Sequence, residues 1–253
     1  MFPFSATVRA SFSRKFSVLS LAAVSLAALS LSALSLAAVG CKAGPAPDAG
    51  FIENPEVLRK DDKLPFDAVW FKEGVDFSKF QTVYIAPVDT THLLNLDWWD
   101  KANIAPGDQQ SQAQELGEYF RNEVKSQFAD DDKNKHTVVD TPGDDTLIVE
   151  LAIVEVVPTK VWLNAIGYIL AGQLDNGLTA FEGRFRDGKT KEVIAEFKDR
   201  EYGQLDIVSI ADFQWNRHSR HTAEVWGDQL EEVVYVQPGE AVSGMSSVTL
   251  RPW

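Results

Sequence analysis

A single cysteine, Cys41, ends a stretch from residue 17 to 39 that carries no charge and consists mostly of Leu, Ala, Val and Ser. This feature divides the chain. The residues before Cys41 suit a membrane, and those after it must fold without a disulfide or a thiolate metal site. Arg9, Arg14 and Lys15 stand before the apolar run, and no acid does. Basic region, apolar region and small residues (Ala38, Val39, Gly40) come in the order of a secretory leader.

A cysteine directly after the small residues resembles the lipobox, in which the thiol is diacylated and the leader is then cut ahead of it. On this reading residues 1–40 are a lipoprotein signal peptide. Cys41 is the lipidation site, bearing diacylglycerol and an N-acyl chain, and no other cofactor is expected. The commonest residue three before such a cysteine is Leu, and here it is Ala38. The run is also long enough to span a bilayer, so an uncleaved anchor helix is the alternative. Either reading puts the rest outside the cytoplasm, because the basic residues precede the apolar run.

Charge narrows the partners. The whole chain has a formal net charge of −13, and loss of the leader removes three basic residues and no acid. Such a surface repels phosphates, which argues against nucleic acid, and it does not lie flat on anionic lipid. Attachment to the membrane then falls to the acylated cysteine, and multiple acyl chains hold firmly where one does not. Lys42 is not the Asp that commonly retains lipoproteins in the inner membrane of Gram-negative cells. In such a cell the expected address is the outer membrane, facing the periplasm.

Residues 42–50 (KAGPAPDAG) are rich in Ala, Pro and Gly and lack periodicity. The expected organisation is lipidated Cys and flexible tether over 41–63, one domain over 64–236 and a tail over 237–253. Residues 82–88 (TVYIAPV) read as a short buried strand with Pro87 near its end. Ala113, Leu116, Phe120, Val124 and Phe128 recur at helical spacing, with Asp108 as a candidate N-cap. Residues 146–157 read as a central strand, apolar at Leu147, Val149, Leu151 and Ile153 and broken on the other face by Glu150.

Thr179, Phe181, Gly183 and Phe185 alternate with Glu182 and Arg184, and Asp187-Gly188 signals a hairpin into a strand over 191–197. Trp215, Thr222, Trp226, Leu230 and Val233 form the stripe of a second helix over 209–234. Strands and helices in this order predict an α+β fold: a single mixed, mostly antiparallel sheet with two amphipathic helices packed on one face.

Three features carry candidate chemistry. Trp98 and Trp99, flanked by Asp97 and Asp100, suit stacking on envelope glycan, or they fold back into the core. The charge-free stretch 161–174, with Val161, Trp162, Ile166 and Tyr168, is too short to span a bilayer. It reads as a core helix or as a patch for a partner or the membrane. His218, His221 and Glu224 share one side of a helix at metal-ligand spacing, but Arg217 and Arg220 beside them repel a cation. No nucleophile-elbow, phosphate-cradling or dinucleotide-binding glycine motif is present.

The opening strand Phe77-Ser78-Lys79-Phe80-Gln81-Thr82-Val83-Tyr84-Ile85-Ala86-Pro87-Val88 and the helical Leu116-Gly117-Glu118-Tyr119-Phe120-Arg121 come after the lipobox. Thr146-Leu147-Ile148-Val149-Glu150-Leu151, the Asp187-Gly188-Lys189-Thr190 hairpin and a C-terminal amphipathic helix come next. In this order they resemble the bacterial lipoproteins of the domain-of-unknown-function family 3313, roughly over residues 65 to 235. The resemblance implies a fold and an address. It assigns no catalytic residue.

The expected function is that of a lipid-anchored cell-envelope lipoprotein. It acts by binding, in an accessory or structural role, with the membrane and an envelope protein or glycan as partners. A periplasmic hydrolase using paired carboxylates on envelope glycan is one alternative, and a metal-handling protein is another.

Overall fold

The computed structural model describes residues 44–46, 48–95, 106–129, 136–157, 178–202, 217–235 and 241–242. The chain divides into Met1–Cys41 and Lys42–Trp253, and every described residue lies in the second unit. Its elements are β1 (Ala68–Phe71), β2 (Thr82–Ile85), α1 (Pro106–Phe128), β3 (Thr137–Val138), β4 (Thr146–Val157), β5 (Leu178–Asp187), β6 (Val193–Tyr202) and α2 (Arg217–Tyr235). The described strands make one open, six-stranded sheet in the order β1-β6-β5-β4-β2-β3. β1, β6, β5 and β4 pair antiparallel, whereas β2 runs parallel to both β4 and β3. A parallel pair needs a crossover, and α1 lies in the one between β2 and β4. The fold is the expected α+β arrangement.

Period-two alternation decides which side of the sheet is dry. Leu147, Val149, Leu151 and Ile153 of β4, Phe181 and Phe185 of β5 and Ala195 and Phe197 of β6 are all buried in one core. From the helices, Leu116, Phe120, Val124 and Phe128 of α1 and Trp226, Leu230 and Val233 of α2 complete it. The Phe181 ring lies 4.5 Å from Trp226 and 6.0 Å from Phe120, centroid to centroid. Each such side chain contributes roughly 1.5–3 kcal/mol by leaving water. Two polar groups inside this core are matched. Asp199 accepts hydrogen bonds from Trp226 Nε1 at 2.9 Å and from the Asp67 backbone at 2.9 Å.

Several boundaries differ from expectation. β1 falls in a stretch that reads as irregular, because four residues carry too little periodicity to register. It pairs with β6 through Val69↔Phe197, and its outer edge exchanges two backbone hydrogen bonds with Arg59. α1 starts at Pro106 rather than after Asp108, since proline suits the first helical position. β6 continues past Phe197 to Tyr202. At the hairpin, Gly188 does not have a positive φ; Lys191 does, at 61°. Gly188 is needed for close approach, because an added Cβ would lie 2.3 Å from the Gly143 carbonyl oxygen and 2.5 Å from that of Thr146.

A bulge in β4 sets up the second face. Ile153 stands opposite Phe181, but Glu155 stands opposite Ala180. Val154 is therefore an extra residue, and Glu155 is turned to the side away from the helices. Without the bulge its parity would aim a carboxylate into the core.

Candidate functional site

The side of β4, β5 and β6 away from the helices is charged. It carries Glu150 and Glu155, Glu182, Arg184 and Arg186, and Glu196, Lys198 and Arg200. The register places opposite signs side by side. Arg184 lies between Glu150 and Glu196, and Lys198 lies beside Glu182. Arg184 and Arg186 both donate through Nε to Glu150 Oε2, the latter at 2.8 Å. Arg200 holds Glu155 through two bonds, at 2.6 and 2.9 Å.

Residues 44–46 and 48–53 run across this face as a strap. The Glu182 carboxylate accepts three backbone N–H groups from it: Ala49 at 2.8 Å, Phe51 at 3.0 Å and Ile52 at 3.2 Å. Glu196 accepts a fourth, from Glu53 at 3.0 Å. Arginines and a lysine take the carbonyls and acids. Arg184 Nη1 donates to the Phe51 carbonyl at 2.9 Å and Arg200 Nη1 to that of Gly44 at 3.2 Å. Lys198 Nζ donates to Asp48 at 2.6 Å and to the Ala46 carbonyl at 3.3 Å, and Arg186 Nη2 donates to Glu53 at 2.6 Å. The Arg184 guanidinium also lies over the Phe51 ring, 4.4 Å from its centroid.

Composition makes 44–53 look like a tether, but the charged partners that fix it lie 130 or more residues away in sequence. Only Ala46 and Ile52 supply buried apolar contact from the described strap, so polar recognition is the main hold.

Burial gives these charges force. Glu182 is 2 % exposed and Glu196 is 1 % exposed. A buried carboxylate is costly unless it is hydrogen-bonded, and the strap's N–H groups meet that need. Burial works against ionisation of Glu150, but the bonds from Arg186 and Arg184 outweigh it and hold the carboxyl below its ordinary range. Glu196 goes the other way. Burial pushes its carboxyl up, the Glu53 N–H pulls it down, and the Glu53 charge pushes it up again. The chemistry this arrangement can do is to bind a peptide backbone that turns at Gly50, so that its N–H groups converge on one carboxylate.

Most residues singled out from the sequence lie outside the described part: Cys41, Trp98, Trp99, Val161, Trp162, Ile166 and Tyr168. His218 lies on α2, but its side chain is also outside the described part. His221 Nδ1 lies 3.4 Å from Glu224 Oε2, one turn along α2. Glu224 also accepts the Tyr119 hydroxyl at 2.8 Å. Burial, then that bond, raises the Tyr119 hydroxyl well above its ordinary pKa. Arg220 donates to Glu115 at 2.9 Å and lies over the Tyr119 ring. This polar edge therefore ties α2 to α1. Among the described residues, no group of three or more His, Cys, Asp or Glu is placed to hold a metal ion. None of the described helices is long and apolar enough to cross a membrane.

The charged face is only half legible in the sequence. The alternation of Glu182 and Arg184 and the break at Glu150 are signals, but cross-strand register and the strap leave none.

No curated protein matches the chain. Among solved structures, a PelC dodecamer from Paraburkholderia phytofirmans is similar at 10% identity. It covers 64% of this chain and 92% of that one, with a TM-score of 0.37. A minor lipoprotein from Acinetobacter baumannii is similar at 10% identity, covering 62% and 94%, with a TM-score of 0.32. A hypothetical protein, CT253, from Chlamydia trachomatis gives 10% identity, 62% and 92%, and a TM-score of 0.34. A family model matches residues 47–230, which include most of the strap, the whole sheet and much of α2, and the chain belongs to that family, the proteins of unknown function designated DUF3313.

Proposed function

We propose that this is a lipid-anchored protein of the bacterial cell envelope that acts by binding, in an accessory or structural role. The observation that carries the reading is the strap. Its ionisable partners hold a peptide backbone and one another, which is a binding arrangement. Its first described residue, Gly44, comes three positions after Cys41 in the sequence. The acidic balance of the chain leaves acylation of Cys41 as the main route to a membrane. With Lys42 next to the cysteine, the outer membrane facing the periplasm is the favoured address, and an envelope protein or glycan the favoured partner.

Labelling with palmitate, followed by membrane fractionation, tests this. The wild-type chain is expected to take up label and to sediment with membranes. Cys41→Ser is expected to lose both. A Cys41→Ser product that stays membrane-bound and unchanged in size would return the leader to the anchor-helix reading.

A further inference from the structure

The strap is bound as a ligand is bound. It contributes two buried apolar residues, whereas its backbone is read by Glu182, Glu196, Arg184, Lys198 and Arg200. Its side chains are read as well: Asp48 by Lys198, Phe51 by Arg184 and Glu53 by Arg186. The spacing is acid, two residues, aromatic, one residue, acid. Glu182 and Glu196 are buried, so the face is built around its occupant and is not a solvated charge patch.

We infer that the outer face of β4, β5 and β6 is a peptide-binding site. It is occupied in cis by residues 44–46 and 48–53, and it takes peptides that bend at a glycine, as this segment does at Gly50, and that place an acid, an aromatic and a second acid at that spacing. The strap is then a reversible latch. Two of its ion pairs are partly open to water: Asp48 and Glu53 are at least half exposed in their pairs with Lys198 and Arg186. Exposed pairs add little each, so undocking is cheap relative to unfolding the helix-covered core. A tethered strap competes at an effective concentration of ~1 mM, which keeps a free peptide out until the strap is weakened. The inference holds whether or not Cys41 carries lipid.

The test uses the full chain and a fluorescent synthetic peptide of residues 44–54. The wild-type chain should take up the peptide weakly. A variant with Asp48→Ala, Phe51→Ala and Glu53→Ala, which leaves the sheet untouched, should bind it about tenfold or more tightly. Adding Lys198→Glu to that variant should abolish uptake. No peptide uptake by a strap variant that keeps wild-type circular dichroism and a cooperative melt would overturn the inference, as would uptake indifferent to Lys198→Glu.

Hydrogen exchange on the wild-type chain gives a reading free of mutations. Amides of Ala49, Phe51, Ile52 and Glu53 should exchange together and well ahead of those in β4 to β6. Exchange of these amides only with global unfolding would make the strap a fixed part of the fold and reject the latch.

Discussion

The two faces of the sheet are closed by opposite kinds of physics. On one, aromatic and aliphatic side chains of β4, β5 and β6 meet α1 and α2, with Asp199 accepting from Trp226 and from the Asp67 backbone. On the other, alternating charges meet a strap of backbone that carries little apolar surface. The first face is held by area removed from water, which is non-directional and not weakened by ionic screening. The second is held by directed bonds, each of which depends on position and ionisation. A sheet built this way has one face that must stay covered and another that can select what covers it.

The comparison breaks most visibly at Trp226. Trp226→Ala empties the largest fully buried side chain among the described residues and removes the Nε1 donor from Asp199. A loss of about 3–5 kcal/mol is expected in urea unfolding, with the transition still cooperative. A loss under about 1 kcal/mol would mean that the helix face is looser than its ring contacts imply.

Glu182→Gln probes the other face with almost no change in shape. One amide NH2 would then confront a strap N–H. About 1–3 kcal/mol should be lost, together with the exchange protection of Ala49, Phe51 and Ile52. If protection in β4 and β5 fell equally, the faces would not be separable.

Titration sharpens the contrast with a smaller effect. The Lys79 bond, against opposing burial and with the Thr190 and Lys189 N–H groups, holds Asp187 at a pKa of about 2. A lowered folded pKa stabilises above the unfolded value and loses that contribution as pH falls through about 2. Allowing for half-exposed Lys79, about 1 kcal/mol should vanish between roughly pH 4 and pH 2, and Asp187→Asn should flatten that slope. Glu196 has the opposite sign, because its folded pKa is raised. Its contribution is complete below the ordinary carboxylate range and declines as pH rises through the raised value. Glu196→Gln should therefore gain on the wild type as pH rises.

The smallest effect is expected from Lys198→Ala, which removes one pair to the half-exposed Asp48 and one bond to Ala46. About 0.5 kcal/mol of global stability should go, while strap exchange accelerates measurably. A larger global loss would tie the strap into the core.

Residues themselves show how much could be read in advance. Phe120 and Trp226 announce their burial because helical spacing is a local pattern, and local patterns survive in one dimension. Leu147, Val149, Leu151 and Ile153 do so by alternation. β1 escaped because four residues are too few to show a period. Glu155 escaped because parity counts fail across a bulge, and nothing in Ile153-Val154-Glu155 marks the extra residue. The strap escaped for a different reason: Ala, Pro and Gly reveal no structure of their own, and their order here is imposed by Glu182 and Glu196 from the far half of the chain.

That separation has a consequence in time. Ala49 meets Glu182 across 133 residues, and Glu53 meets Glu196 across 143. The strap is among the first parts of the domain to be synthesised, yet its partners exist only once the β5–β6 hairpin has formed. Loop closure of that length comes late, after local hairpins and helices have set. Pulse-labelled refolding should find the β5 and β6 amides protected before those of Ala49 and Ile52. The beginning of this domain is thus expected to be the last piece to settle, waiting through most of folding for a surface that its own chain has yet to make.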